Sequence, residues 1–263
     1  MNCTKCGAHV EDNLFLEVLA NNNAPIYCAD CAKEASDRHE AEERKKDEEE
    51  WFNQVDQIAS ESGIPDGYHY QKDTGVSVLH AGPIVRHVAD WIMRHRRYNI
   101  LLSGDTGMGK STSAAYAAIV MISHRAKVRY IKLQQLLRDY TAAKMSKDTY
   151  AEENFFRAFN DCNLWIIDEL VGKTKDTESR REFMVELLDE IADGEIKARF
   201  WLLGNFRSNS IDSIFGAENR EPTRRRIEEN FVCAGITRDS VEEFHVWPVT
   251  EEPSVVRGSR LWE

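Results

Sequence analysis

No apolar run in this chain approaches the roughly 18 to 20 residues of a membrane-spanning helix, so no such span is expected. The opening stretch, MNCTKCGAHVEDN, lacks the apolar h-region of a secretory signal, which leaves a cytoplasmic location as the expectation. Basic charge is in deficit: 34 Lys and Arg against 45 Asp and Glu give a formal net charge of −11. That balance argues against a protein whose main task is gripping duplex DNA through a broad basic face, but allows a narrow basic groove or pore. Internal repeats are absent, and the only low-complexity stretch is one charged run. What remains is a 263-residue chain, 42% hydrophobic and 30% charged, long enough for one large domain or a domain with a small appendage.

The six cysteines are unevenly spread. Cys3, Cys6, Cys28 and Cys31 form a CxxC…CxxC set with 21 residues between its halves, while Cys162 and Cys233 stand alone in apolar surroundings as small buried hydrophobes. In a reducing compartment the paired set reads as a metal site and not as disulfides. Four thiolates suit tetrahedral Zn²⁺; a redox pair is the alternative. His9 lies nearby and reads as a bystander. Residues 1–35 hold too little apolar material for a core of their own, so a metal would have to hold this module together. Residues 36–62, rich in Glu, Lys, Asp and Arg, read as a charged helical linker.

From residue 63 the pattern changes. Pro83 opens a helix with Ile84, Val88, Trp91 and Ile92 at helical spacing. Strand and helix then alternate: NILLSG, KVRYIKL, LWIIDEL and RFWLLGN as strands, with helices between them. Such alternation predicts an α/β fold with a parallel sheet flanked by helices on both faces.

GDTGMGKS (Gly104 to Ser111) fits G-x-x-x-x-G-K-[ST] at every fixed position, after a strand and at the opening of a helix. Its glycines let backbone N–H groups cradle phosphate oxygens at the helix N-terminus. The nucleotide contacts expected are therefore Gly104, Asp105, Thr106, Gly107, Met108, Gly109, Lys110, Ser111 and Thr112. Lys110 would reach the β- and γ-phosphates of ATP, and the Ser111 hydroxyl would hold Mg²⁺. LWIIDE supplies a strongly apolar strand ending in two carboxylates. Asp168 would orient the magnesium shell, and Glu169 would polarise the attacking water. Asn205, at the end of RFWLLGN, could help position that water.

These motifs, in this order, resemble an AAA+ ATPase. Within that family the chain is most similar to the DnaC/DnaI-type helicase loaders, with the IstB-type transposition ATPases close by. The resemblance covers about residues 63–248 and includes GIP at Gly63–Pro65, NILLSGDTGMGKS, LWIIDE, the LGN at Leu203–Asn205 and an arginine-bearing C-terminal helix. Loaders of the DnaI type also carry an N-terminal zinc-binding domain that engages the replicative helicase, a similar layout. The chain departs from the pattern in having Asp168–Glu169 where loaders usually have two aspartates. It also has LGN in place of Thr-Ser-Asn, and shows no helical lid in its last 25 or so residues. The resemblance implies an ATPase whose partners are a DnaB-like replicative helicase, single-stranded DNA and further copies of itself. An IstB-like DNA-remodelling ATPase and a nucleotide-gated adaptor with little turnover are the alternatives.

Two basic clusters stand out against the acidic background. In PTRRRIEENF, Pro222 suits a helix's first turn, and Ile227 with Phe231 marks its buried stripe. At 100° per residue Arg224 and Arg226 flank that stripe and Arg225 points away, so the three cannot meet one phosphate. A guanidinium reaching a neighbour's γ-phosphate would stabilise transferring charge. The resemblance favours Arg226 for this role over Arg225, and a solvated helix pairing with Glu228 and Glu229 is the plain alternative. RHRRYN (Arg94 to Asn99) fits either a single-stranded DNA path or a polar helix end.

Overall fold

The computed structural model describes residues 1–10, 25–65, 68, 70–71, 76–77, 83–170, 178–205, 220–238 and 240–243. They fall into two compact units, Met1–Gln54 and Val55–Glu263. Among the described residues no helix is long and apolar enough to cross a membrane. The stretch from residue 244 onward, expected to lack a helical lid, lies outside them.

The first unit is built by tight turns. Gly7 N–H donates to the Cys3 carbonyl (2.9 Å) and Cys3 N–H to the Ala8 carbonyl (2.8 Å), folding the first CxxC back on itself. Gly7 takes φ 76°, a conformation that favours glycine. Thr4 N–H donates to the Ile26 carbonyl (2.7 Å), and Ile26 N–H to Thr4 Oγ1 (3.0 Å), which fastens the second CxxC segment beside the first. Helix α1 (Ala29–Glu61) begins inside the span expected for the cysteine module, so Cys31 is in its first turn. Its mixed charges are exposed and linked along the surface by pairs such as Glu34–Arg38 and Lys46–Glu50, which water screens.

The second unit contains a small antiparallel pair, β1 (Tyr70–Gln71) with β2 (Val76–Ser77), and the main sheet. In chain order its elements are α2 (Pro83–Arg94), β3 (Asn99–Gly104), α3 (Lys110–Ser123), β4 (Val128–Lys132), α4 (Leu133–Lys144), α5 (Ala151–Arg157), β5 (Leu164–Asp168), α6 (Glu178–Ala192), β6 (Arg199–Gly204), α7 (Arg220–Asn230), β7 (Phe231–Ile236) and β8 (Val241–Glu243). The strand order is β4-β5-β6-β3-β7-β8, parallel except for β7 with β8. Leu101, Leu102, Ile166, Ile167, Leu202 and Leu203 are all buried, as strands covered on both faces must be. Asn99 pins the start of the sheet: its Oδ1 accepts from Phe200 N–H (2.9 Å) and its Nδ2 donates to the Asn230 carbonyl (3.1 Å).

Phe231 does not share a helical stripe with Ile227. The helix ends at Asn230, and Phe231 opens β7, opposite Asn99 in the parallel ladder. FVCAGI is a short apolar run whose backbone groups find partners on the open edge of β3, and that pairing outweighs helix continuation. Ile227 is buried as the helical spacing requires.

Candidate functional site

The P-loop links β3 to α3. Gly104 takes φ 146°, and a Cβ there would stand 2.7 Å from the Ile236 carbonyl oxygen on β7. The β3–β7 ladder therefore closes only around a glycine. Lys110 is 5% exposed and folds back over the loop, donating to the carbonyls of Gly104 and Asp105 (2.8 Å each). Burial lowers its pKa, opposed by the negative charges of Asp168 and Asp105. Ser113 Oγ bonds the carbonyls of Gly109 (2.8 Å) and Val85 (3.0 Å), tying the start of α2 to the first turn of α3.

The acidic strand β5 delivers two adjacent carboxylates into different settings. Asp168 is 8% exposed: its Oδ1 accepts from the Glu169 N–H (2.7 Å), and its Oδ2 accepts the phenolic hydrogen of Tyr130. Burial, and then the Asp168 charge, push the Tyr130 pKa far up, so the phenol stays a donor. Glu169 takes φ 59°, a left-handed conformation uncommon for a residue with a Cβ, and so turns out of the strand. Its Oε1 accepts from Lys132 Nζ at 2.7 Å, with both side chains more than half or about half exposed. That hydrogen bond raises the Lys132 pKa.

Asn205 follows Gly204, which stands opposite Ser103 in the β3–β6 ladder. Since β6 separates β3 from β5, the exposed Asn205 amide falls between the P-loop and the acidic pair. Lys110, Ser111, Asp168, Glu169 and Asn205 thus gather at the C-terminal edge of one parallel sheet, where open α/β folds bind ligands. Asp105, Thr106 and Gly107 are exposed there, and Met108, Gly109, Ser111 and Thr112 half-buried.

Arg226 is not in this group. Its NH1 lies 2.5 Å from Asp189 Oδ1, in the last turns of α6, ahead of the opposite end of β6. Arg225 points to solvent and donates from Nε to Glu229 (2.7 Å). The helix geometry read from the sequence therefore holds: Arg225 is exposed, and Arg224 and Arg226 are half-buried beside Ile227. Sequence reasoning missed Tyr130 and Lys132. Their alternation on β4 is visible in KVRYIKL, but which strand lies beside β4 is not.

In the first unit the sulfurs of Cys3, Cys6, Cys28 and Cys31 all lie within 4.8 Å of one another, and Cys6 Sγ is 3.7 Å from Cys28 Sγ. Thiolates about 2.3 Å from one tetrahedral ion stand about 3.8 Å apart, so the cluster fits Zn²⁺. Backbone N–H groups of Cys6 and then Cys28 lower the Cys3 pKa to about 6, while hydrogen bonds with the Cys28 and then the Cys6 thiol push Cys31 up to about 12. His9 instead sits in an isolated bridge with Asn2.

A parallel sheet flanked by helices, in which one strand separates the P-loop strand from the acidic strand, has the architecture of a P-loop nucleotide-binding fold. A scan with family models and a search of curated proteins find no match. Among solved structures, the AMPPCP-bound DnaA from Aquifex aeolicus is similar at 14% identity and TM-score 0.47, over 66% of this chain and 51% of that one. The DnaC helicase loader is similar at 15% identity and TM-score 0.45, over 57% of this chain and 86% of the loader. A primosome component from Streptococcus pyogenes serotype M3 is similar at 15% identity and TM-score 0.46, over 68% of this chain and 95% of its own. The match thus spans about half of that DnaA chain.

Proposed function

We propose that this chain is an ATP-dependent helicase loader, acting between subunits of a homo-oligomer. Residues 1–35 would form a zinc module that grips a DnaB-like replicative helicase, 36–62 a charged linker, and 63–263 the ATPase, which engages single-stranded DNA in the cytoplasm. The backbone from Gly104 to Thr112 would cradle the phosphates, and Lys110 would leave the loop carbonyls for the β- and γ-oxygens. Ser111 and Asp168 would hold Mg²⁺, which neutralises developing charge on the phosphate oxygens. Glu169, aided by Asn205, would take the proton of the attacking water, and Arg226 would act on the neighbouring subunit's γ-phosphate.

The observation that carries this reading is the pairing, in one chain, of a four-thiol cluster with a P-loop, an acidic pair and an intervening asparagine strand. It is tested by mixing the full chain with the replicative helicase of the same host or phage. Size-exclusion chromatography with ATP should show co-elution, and separate elution overturns the loader assignment. A second reading, a nucleotide-gated adaptor with little turnover, draws support from the engagement of Glu169 with Lys132. Phosphate release that is near zero and equal in wild type and Glu169→Gln selects the adaptor. ATP-dependent filaments on duplex DNA, without helicase contact, would instead select the IstB-like alternative.

A further inference from the structure

We infer that Tyr130 is a positioning residue for the metal-side carboxylate Asp168, a role that rests on the nucleotide-site reading above. The two oxygens of Asp168 are held by different donors: Oδ1 by the Glu169 backbone N–H at 2.7 Å, and Oδ2 by the Tyr130 hydroxyl. Two such bonds fix the plane of the carboxylate yet use only part of its acceptor capacity, about four lone-pair sites. One buried oxygen from β4 therefore holds the β5 carboxylate that would take the metal.

The phenol is itself fixed. Tyr130 pairs with Ile166 in the parallel ladder on one side of β4. On the other side its N–H donates to the Ser62 carbonyl at 2.7 Å, just past the end of α1. Gly63 lies so close to the Tyr130 carbonyl that a Cβ there would stand 2.3 Å from the oxygen. With the backbone clamped from both edges and the residue only 5% exposed, the close-packed surroundings leave the ring little freedom to swing. Ring packing alone would be served by phenylalanine, so what tyrosine adds is the bond to Asp168. Groups that orient a metal ligand in this way are commonly worth about 10–100-fold in metal affinity.

The test uses Tyr130→Phe in the full chain, an isosteric change. Three quantities are measured: binding of a fluorescent ATP analogue in EDTA, Mn²⁺ affinity of the ATP-bound protein by electron paramagnetic resonance, and the Mg²⁺ concentration that half-saturates phosphate release. The expected result is nucleotide binding without metal within about twofold of wild type. Mn²⁺ affinity should fall about 10–100-fold, with the Mg²⁺ requirement rising to match. Unchanged Mn²⁺ affinity overturns the role of Tyr130 and leaves the nucleotide site standing. An equal loss of metal-free nucleotide binding makes Tyr130 merely structural and also overturns it. Wild-type protein that binds neither ATP nor Mn²⁺ removes the nucleotide-site reading and this role together. In the unaltered protein, the Tyr130 ring resonances should shift when Mg²⁺ is added to the ATP complex, and their constancy counts against the proposal even if the variant fails to fold.

Discussion

Replacing Lys132 with methionine removes the cation that occupies Glu169 and leaves the aliphatic stem in place. Lys132 Nζ donates to Glu169 Oε1 at 2.7 Å, but the two side chains are 59% and 50% exposed. A pair this wet is worth about 0.2–1 kcal/mol, because water screens it and two flexible chains must be ordered. Folding should therefore barely respond, with a melting shift of no more than about 4 °C. If the pair holds Glu169 away from the attacking water, breaking it removes the same small barrier before catalysis. Steady-state phosphate release at saturating Mg²⁺ and ATP should then rise about 1.4- to 5-fold over wild type. Added salt should raise the wild-type rate toward that of the variant, since an exposed pair is screened over about 10 Å at 0.1 M. A fall of tenfold or more in Lys132→Met would refute the reasoning, for it would mean that the ammonium stabilises the transition state.

Glu169→Gln should lower turnover about 10²- to 10⁴-fold with ATP binding intact, read by phosphate release and by equilibrium binding; parallel loss of binding would count against a role as base. Arg226→Ala should cost the assembled protein about 10³- to 10⁵-fold in hydrolysis while the isolated subunit still binds ATP. Asp189→Ala removes only the cis partner of Arg226 and should keep the rate within severalfold; matching losses would assign Arg226 to the α6–α7 contact. Metal analysis should find one zinc per chain. A strong chelator should abolish the order of residues 1–54 while the second unit melts unchanged, and a chain free of zinc and equally folded would sink the metal site.

The parts of this molecule legible in sequence are those whose chemistry is local. The P-loop motif is contiguous, so the turn from β3 into α3 could be read from its residues alone, and the two CxxC halves do bring their four sulfurs within 4.8 Å of one another. The alternation of strands and helices gave the parallel sheet for the same reason. Non-local pairings stayed hidden. Tyr130 and Asp168 are 38 residues apart and meet only because β4 and β5 are neighbours. The same adjacency joins Lys132 to Glu169. β7 went unseen because a six-residue apolar run after a helix has no period of its own; its identity comes from the edge of β3.

The two carboxylates at the end of β5 receive opposite mechanical treatment, and the left-handed turn at Glu169 is what makes this possible. Extended backbone would have sent residues 168 and 169 to opposite faces of the sheet, one into each helix layer. With φ at 59° the chain leaves the strand at Glu169 instead, and the side chain emerges at the sheet edge toward Lys132. The same turn brings the Glu169 N–H back onto Asp168 Oδ1. A metal ligand gains from being rigid, since misplacement costs affinity, whereas a group that takes a proton must be free to meet water at one stage and release it at another. Asp168 is buried and held at both oxygens; Glu169 is half exposed and held by one screened cation. One unusual backbone angle thus divides adjacent acids into a fixed group and an adjustable one. It follows that glycine at 169 should retain the loop while losing the proposed base, and that a β-branched residue there should also weaken the hold on Asp168.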